Sequence, residues 1–119
     1  MKKILLISVL MILGCIPATS QEFNNAGEYM QFINNEHTRI KKDLWNYMAA
    51  LAHGKGARKV ESKRQELIST TEAAEKKVRN MGNWDNNTEY RDSVNSYLNI
   101  CTTVLKEDFA KIVDMEEIA

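Results

Sequence analysis

Proline is nearly absent from this chain: the single one, Pro17, lies among the first 20 of 119 residues. The rest of the chain therefore holds no residue that removes a backbone N–H and breaks a helix from within. Cysteine is almost as scarce. With only Cys15 and Cys101, the disulfide framework that staples many small exported domains is excluded within one chain. The two histidines, His37 and His53, have Asn34 and Ala50 three residues before them, so the Glu-x-x-His pairs of a di-iron bundle are missing. There is no HExxH, CxxC or CxxCH run. Charge of one sign is not in excess either, because 16 basic residues balance 16 acidic ones. A general nucleic-acid binder would carry a basic face or stripe. Gly54-Lys55-Gly56 lacks the Gly-x-x-x-x-Gly-Lys-Ser/Thr spacing of a phosphate loop, and no strand pattern precedes it. No glycine-rich oxyanion turn follows a strand. These absences predict no catalytic residues, no metal, no cofactor and no enzyme.

What is present begins with residues 1–20. Lys2 and Lys3 form a basic start, Ile4 to Leu13 an apolar run, and Gly14, Pro17, Ala18 and Ser20 a small-residue end. This is the grammar of a bacterial export signal. A membrane-spanning helix needs about 20 apolar residues, roughly twice the length of this run. Two processing routes fit. Cleavage after Ser20 makes Gln21 the new N-terminus. Alternatively, Ile12-Leu13-Gly14-Cys15 acts as a lipobox, with the signal ending before Cys15, and acylated Cys15 tethers the protein to a membrane. Removing residues 1–20 leaves 119 − 20 = 99 residues with 14 basic and 16 acidic side chains, a net charge of −2. That is one small domain, residues 21–119.

The pattern along this domain is helical throughout. Asn24 or Asn25 caps a first helix running to about His53, and Glu28 completes a loose capping box. Met30, Ile33, His37, Ile40, Leu44, Tyr47 and Leu51 alternate three and four apart, a heptad seam. Phe32, Trp45 and Met48 widen it, so this helix faces more than one neighbour. Gly54 and Gly56 mark a turn. A second helix runs from Ala57 to about Met81, with Val60, Arg64, Leu67, Thr71, Ala74, Val78 and Met81 as its seam and one face left to water. Gly82 to Asn87 form a loop of turn-forming residues, over which Trp84 folds back onto the core. A third helix starts near Asn87, capped by Asn86, and buries Val94, Leu98, Cys101, Leu105, Ile112 and Met115 beside Phe109. The lone Cys101 reads as a small buried hydrophobe, and His37 as a core or half-buried histidine. The apolar pattern is still running at Ala119, so the domain is expected to be incomplete at its C-terminus. The predicted architecture is all-α: an antiparallel three-helix bundle, or a four-helix bundle lacking its fourth member. Broad stripes on two or three helices leave apolar surface uncovered, which predicts self-association or a protein partner.

One polar cluster stands out. His53, Lys55, Arg58 and Lys59 gather at the glycine turn where the second helix begins. A helix N-terminus favours anions, so this turn is a candidate contact for an anion or for a partner's carboxylates.

The stretch Ala52-His53-Gly54-Lys55-Gly56-Ala57-Arg58-Lys59-Val60-Glu61, with Arg64-Gln65-Glu66-Leu67 and the closing Ile112-Val113-Asp114-Met115-Glu116-Glu117-Ile118-Ala119, resembles a family of uncharacterised bacterial surface proteins of spirochaetes and Bacteroidota. The resemblance implies an exported, largely helical protein and carries no catalytic residue. The expectation is an exported, non-enzymatic interaction protein of the periplasm, cell surface or outer membrane. The alternative is a carrier holding a small apolar ligand or lipid between helices near Trp45, Met48 and Trp84.

Overall fold

The computed structural model describes residues 23–118, with side chains for 23–112. Cys15 and Gln21 lie outside those limits, as does the side chain of Met115. Three α-helices follow one another: α1 (Ala26–Ala52), α2 (Ala57–Asn80) and α3 (Glu89–Ile118). The fold is all-α, with the three helices antiparallel in sequence order.

The helix ends follow from local chemistry. Asn25 caps α1 by accepting the amide of Glu28 at 3.0 Å, and the Glu28 carboxylate reaches back to the amide of Asn24 at 3.0 Å. This reciprocal pair satisfies donors that the first turn leaves over. At the other end, Gly54 takes φ +60. Its amide bonds to Leu51 O at 3.1 Å and the Lys55 amide to Ala50 O at 3.1 Å. These are the two bonds of a Schellman cap, which needs a left-handed residue at that position. The α2–α3 loop closes differently. Asp85 and Asn86 sit at φ 50 and φ 57, and the Asn87 amide donates to Trp84 O at 2.9 Å. Positive φ at both central residues is the requirement of a type I′ turn, and Asp and Asn tolerate it. Asn86 is therefore consumed by the turn. The capping side chain is Asn87, which accepts the Glu89 amide at 2.8 Å, and α3 begins two residues later than the spacing suggested.

Helix α2 is the middle of the molecule. Every residue of its expected seam, Val60, Arg64, Leu67, Thr71, Ala74, Val78 and Met81, is buried, together with Ile68. Helices α1 and α3 each pack along α2 and make far less contact with each other. One apolar cluster joins Tyr47, Ala50, Val60, Leu67, Ile68 and Leu105 near the glycine turn. Another joins Tyr29, Ala74, Val78, Met81 and Leu98 near the loop, with Trp84 folded over it. Each fully buried aliphatic side chain of this kind contributes about 1.5–3 kcal/mol.

Polar ties fix the flanking helices to the middle one. Lys77 Nζ donates to Glu36 Oε1 at 2.9 Å, and Thr70 Oγ1 donates to Asp43, both linking α1 to α2. Arg64 Nη1 donates to the Leu105 carbonyl at 2.8 Å, linking α2 to α3, while Nε and Nη2 hold Glu61 at 2.8 and 2.7 Å. Lys106 pairs with Glu72 on the same side.

The face that α1 turns toward α2 differs from the expected seam. Its line runs through Tyr29, Glu36, Tyr47 and Ala50, all buried, with Ile33, Ile40 and Asp43 half-buried. Met30, His37 and Leu44 are exposed instead. They lie one step round the helix, so the expected seam is the border between two faces. His37 is thus not a core histidine. Cys101 is half-buried for the parallel reason: on α3 the packing line runs through Leu98, Thr102 and Leu105, and Cys101 sits beside it.

Candidate interaction surface

Because α2 separates its neighbours, a trough runs between α1 and α3 with α2 as its floor. Two adjoining hollows of about 300 Å³ each make up most of it. The one nearer the loop is lined by Met30, Ile33, His37, Val94 and Tyr97 over Val78. The one nearer the glycine turn is lined by Ile40, Leu44, Ile100, Cys101 and Val104 over Leu67 and Thr71. A smaller hollow of about 250 Å³ extends the trough to Trp84 between Tyr29 and Tyr90. Aromatic pairs close each end. Tyr29 and Tyr90 approach to 6.4 Å between ring centres, and Tyr47 stacks on Phe109 at 5.5 Å.

The trough is lined mainly by apolar side chains and is open to water. Its lining follows from the second stripe on each flanking helix. On α1, Met30, His37 and Leu44 share a face by their two spacings of seven. On α3, Tyr90, Val94, Tyr97, Cys101 and Val104 do the same. The hydroxyl of Tyr97 is pushed above its ordinary range by the Cys101 thiol one turn on, through a hydrogen bond first and through charge second, with burial adding to both. That of Tyr29 is raised by burial, against the opposing pull of the Arg91 guanidinium. Arg91 itself fastens the loop, donating to Met81 O at 3.1 Å and to Asn83 Oδ1 at 2.9 Å.

The basic turn lies at one end of the molecule. His53, Lys55, Arg58 and Lys59 are all exposed. Gly56 caps α2 without a side-chain acceptor, and the first turn of α2 holds no acidic residue. The first amides of α2 and three cations thus point the local field toward an anion.

The residues weighed for a small-ligand pocket are not brought together. Trp84 covers the loop end of the trough, while Trp45 and Met48 are exposed and line none of the three hollows. Trp45 follows Met30 by 15 residues, which is about 22 Å along α1. Among the described residues no group of three His, Cys, Asp or Glu side chains could hold a metal ion. Among them, too, no helix is long and apolar enough to cross a membrane. No protein family, curated protein or solved structure matches this chain.

Proposed function

We propose that this chain is an exported, non-enzymatic interaction protein that meets its partner through the α1–α3 trough and the basic turn. The observation that carries the reading is the uncovered apolar face. Met30, Leu44, Met48, Tyr97 and Ile100 stand in water on a domain that has buried its other apolar stripe well. Contiguous apolar patches on small soluble domains mark contact sites, and methionine with aromatic residues is the composition such sites favour. The export assignment rests on the basic, apolar and small-residue order of Met1 to Gln21, and on the resemblance to bacterial surface proteins.

Two experiments test this. Intact mass of the protein recovered from an exporting host distinguishes an N-terminus at Gln21 from an acylated Cys15, and an unprocessed Met1 removes the export assignment. Replacing Lys55, Arg58 and Lys59 by serine is expected to weaken partner binding. Unchanged pull-down partners would remove the basic turn from the surface.

A second reading keeps the carrier alternative in altered form, because hollows of about 300 Å³ suit a small apolar ligand. Its site would be the trough near Tyr97 and Cys101, away from Trp45. Lipid titration that changes Trp84 fluorescence and is abolished by Leu44→Glu would favour it.

A further inference from the structure

We infer that the occupant of the α1–α3 trough is a second copy of this chain, which makes the protein a homodimer through that face. The inference rests on the reading of the trough as a contact surface and names the partner. Three observations select the occupant.

The first is width. The apolar surface does not stop at the trough. Trp45 is 74% exposed on the outer shoulder of α1, and Ile100, at the rim of the trough on α3, is 62% exposed. At about 100° per residue, Trp45 lies some 140° round the helix from Ile40. A single docked helix, or a small ligand, would fill the trough and leave Trp45 wet. A face two helices wide covers it as well, and this chain carries one of matching width and length.

The second is area. Met30, Leu44, Trp45 and Met48 on α1 with Tyr97 and Ile100 on α3 are 39–74% exposed. At those fractions they leave roughly 700 Å² of side chain uncovered, close to the 800 Å² or so that each partner gives to a standard interface.

The third is charge. From Tyr90 to Val104 the trough side of α3 holds Ser93, Val94, Tyr97 and Cys101 and no charged residue, and on α1 the charged residues lining the trough are Lys41 and Glu36, the latter buried and paired with Lys77. Two copies of this face do not repel. Asp108 follows Val104 by four residues and so continues the same face of α3. Within the chain its only ion pair among the described residues is an exposed one with Lys111 at 3.2 Å. Lys41 sits across the trough at the level of Cys101 and Val104. With the two-fold axis parallel to the helices, α1 of one copy lies over α3 of the other. Lys41 then lies over the Cys101–Val104 level of the other copy, with the partner's Asp108 about one turn further along, twice in the dimer, and the two lysines stay apart. Such an isologous contact closes at two copies.

The test is sedimentation equilibrium on the full chain, purified as the host releases it, from about 1 to 100 μM. A dimer is expected, and Tyr97→Lys should weaken it about thirtyfold or more, the scale of an interface hot spot, with helical circular dichroism unchanged. Lys41→Glu and Asp108→Lys should each weaken the dimer, and the double swap should restore it. A mass that stays monomeric throughout overturns the inference, as does a dimer indifferent to Tyr97→Lys and to the swap. The two readings separate in one further arm. A monomer that captures a periplasmic protein on wild type and not on Tyr97→Lys removes the second copy as occupant and leaves the contact surface standing. A monomer with no capture sensitive to Tyr97, Lys55, Arg58 or Lys59 removes both.

Discussion

Arg64 shows how a polar residue on an apolar seam is accommodated. Its guanidinium is buried between α2 and α3, where Glu61 takes two of its donors and the Leu105 carbonyl a third. Arg64→Ala should therefore cost about 2–4 kcal/mol, through the lost charge-assisted bonds and the gap left behind. The midpoint of a urea melt reads this directly, with Glu61→Gln as the milder control. The same pair sets an acid limit. The Glu61 carboxyl is held below its usual value of 4.5, first by its hydrogen bond from Arg64, partly offset by burial. A carboxyl whose pKa is lowered in the folded chain stabilises it above the unfolded value, and that contribution is lost as pH falls through the folded one. Thermal midpoints measured from pH 5 downward should fall more steeply for the wild type than for Glu61→Gln; equal slopes would count against the pair. Arg64 could be placed from spacing alone. Glu36, Asp43 and Thr102 could not. A carboxylate gives no sign of burial until its partner is known, and Lys77 and Thr70 lie 41 and 27 residues away from Glu36 and Asp43.

Among the elements, α2 was the most readable and α1 the least. A middle helix is packed from both sides, so its whole seam is apolar or satisfied, and the period alone identifies it. Helix α1 has two apolar stripes side by side, one against α2 and one on the trough. Their sum looks like a single broad seam, and periodicity cannot say which edge is covered. The turns divide in the same way. Gly54 announced its left-handed cap, whereas the Asp85-Asn86 turn hid inside a run of turn formers and displaced the α3 cap from Asn86 to Asn87. Gly54→Ala should cost about 1 kcal/mol, since a Cβ there meets no atom within 4 Å and the penalty is the positive φ itself. Gly56→Ala, at φ −57 with similar open space, should cost less. Paired thermal melts check the order, and an equal loss at both positions would contradict the Schellman cap as its source.

At the scale of the molecule, the three-helix order was legible because two glycine-bearing breaks divide an otherwise uninterrupted helical pattern. The trough was not legible as a site. Its residues are the same Met, Leu, Tyr and Ile that make a core, and only the placement of α2 between α1 and α3 leaves them in water. Trp45 and Trp84, both candidates for a ligand pocket, stand far apart because Trp84 sits beside Met30 and Trp45 lies 15 residues further along α1. Exposure on α1 and α3 also predicts tolerance: in a urea melt run at a concentration where both proteins are monomers, Tyr97→Lys should stay within about 0.5 kcal/mol of wild type, while Leu67→Ala on the floor should lose about 2–5 kcal/mol. The central claim is that the α1–α3 face is free within one chain and covered in the assembled protein. Hydroxyl-radical footprinting of wild type beside Tyr97→Lys, both at about 50 μM, tests it most directly. The account predicts that Met30, Met48 and Ile100 are protected in the wild type and labelled in the variant, with buried Met81 protected in both. Equal labelling of Met30 and Met48 in the two proteins would contradict it.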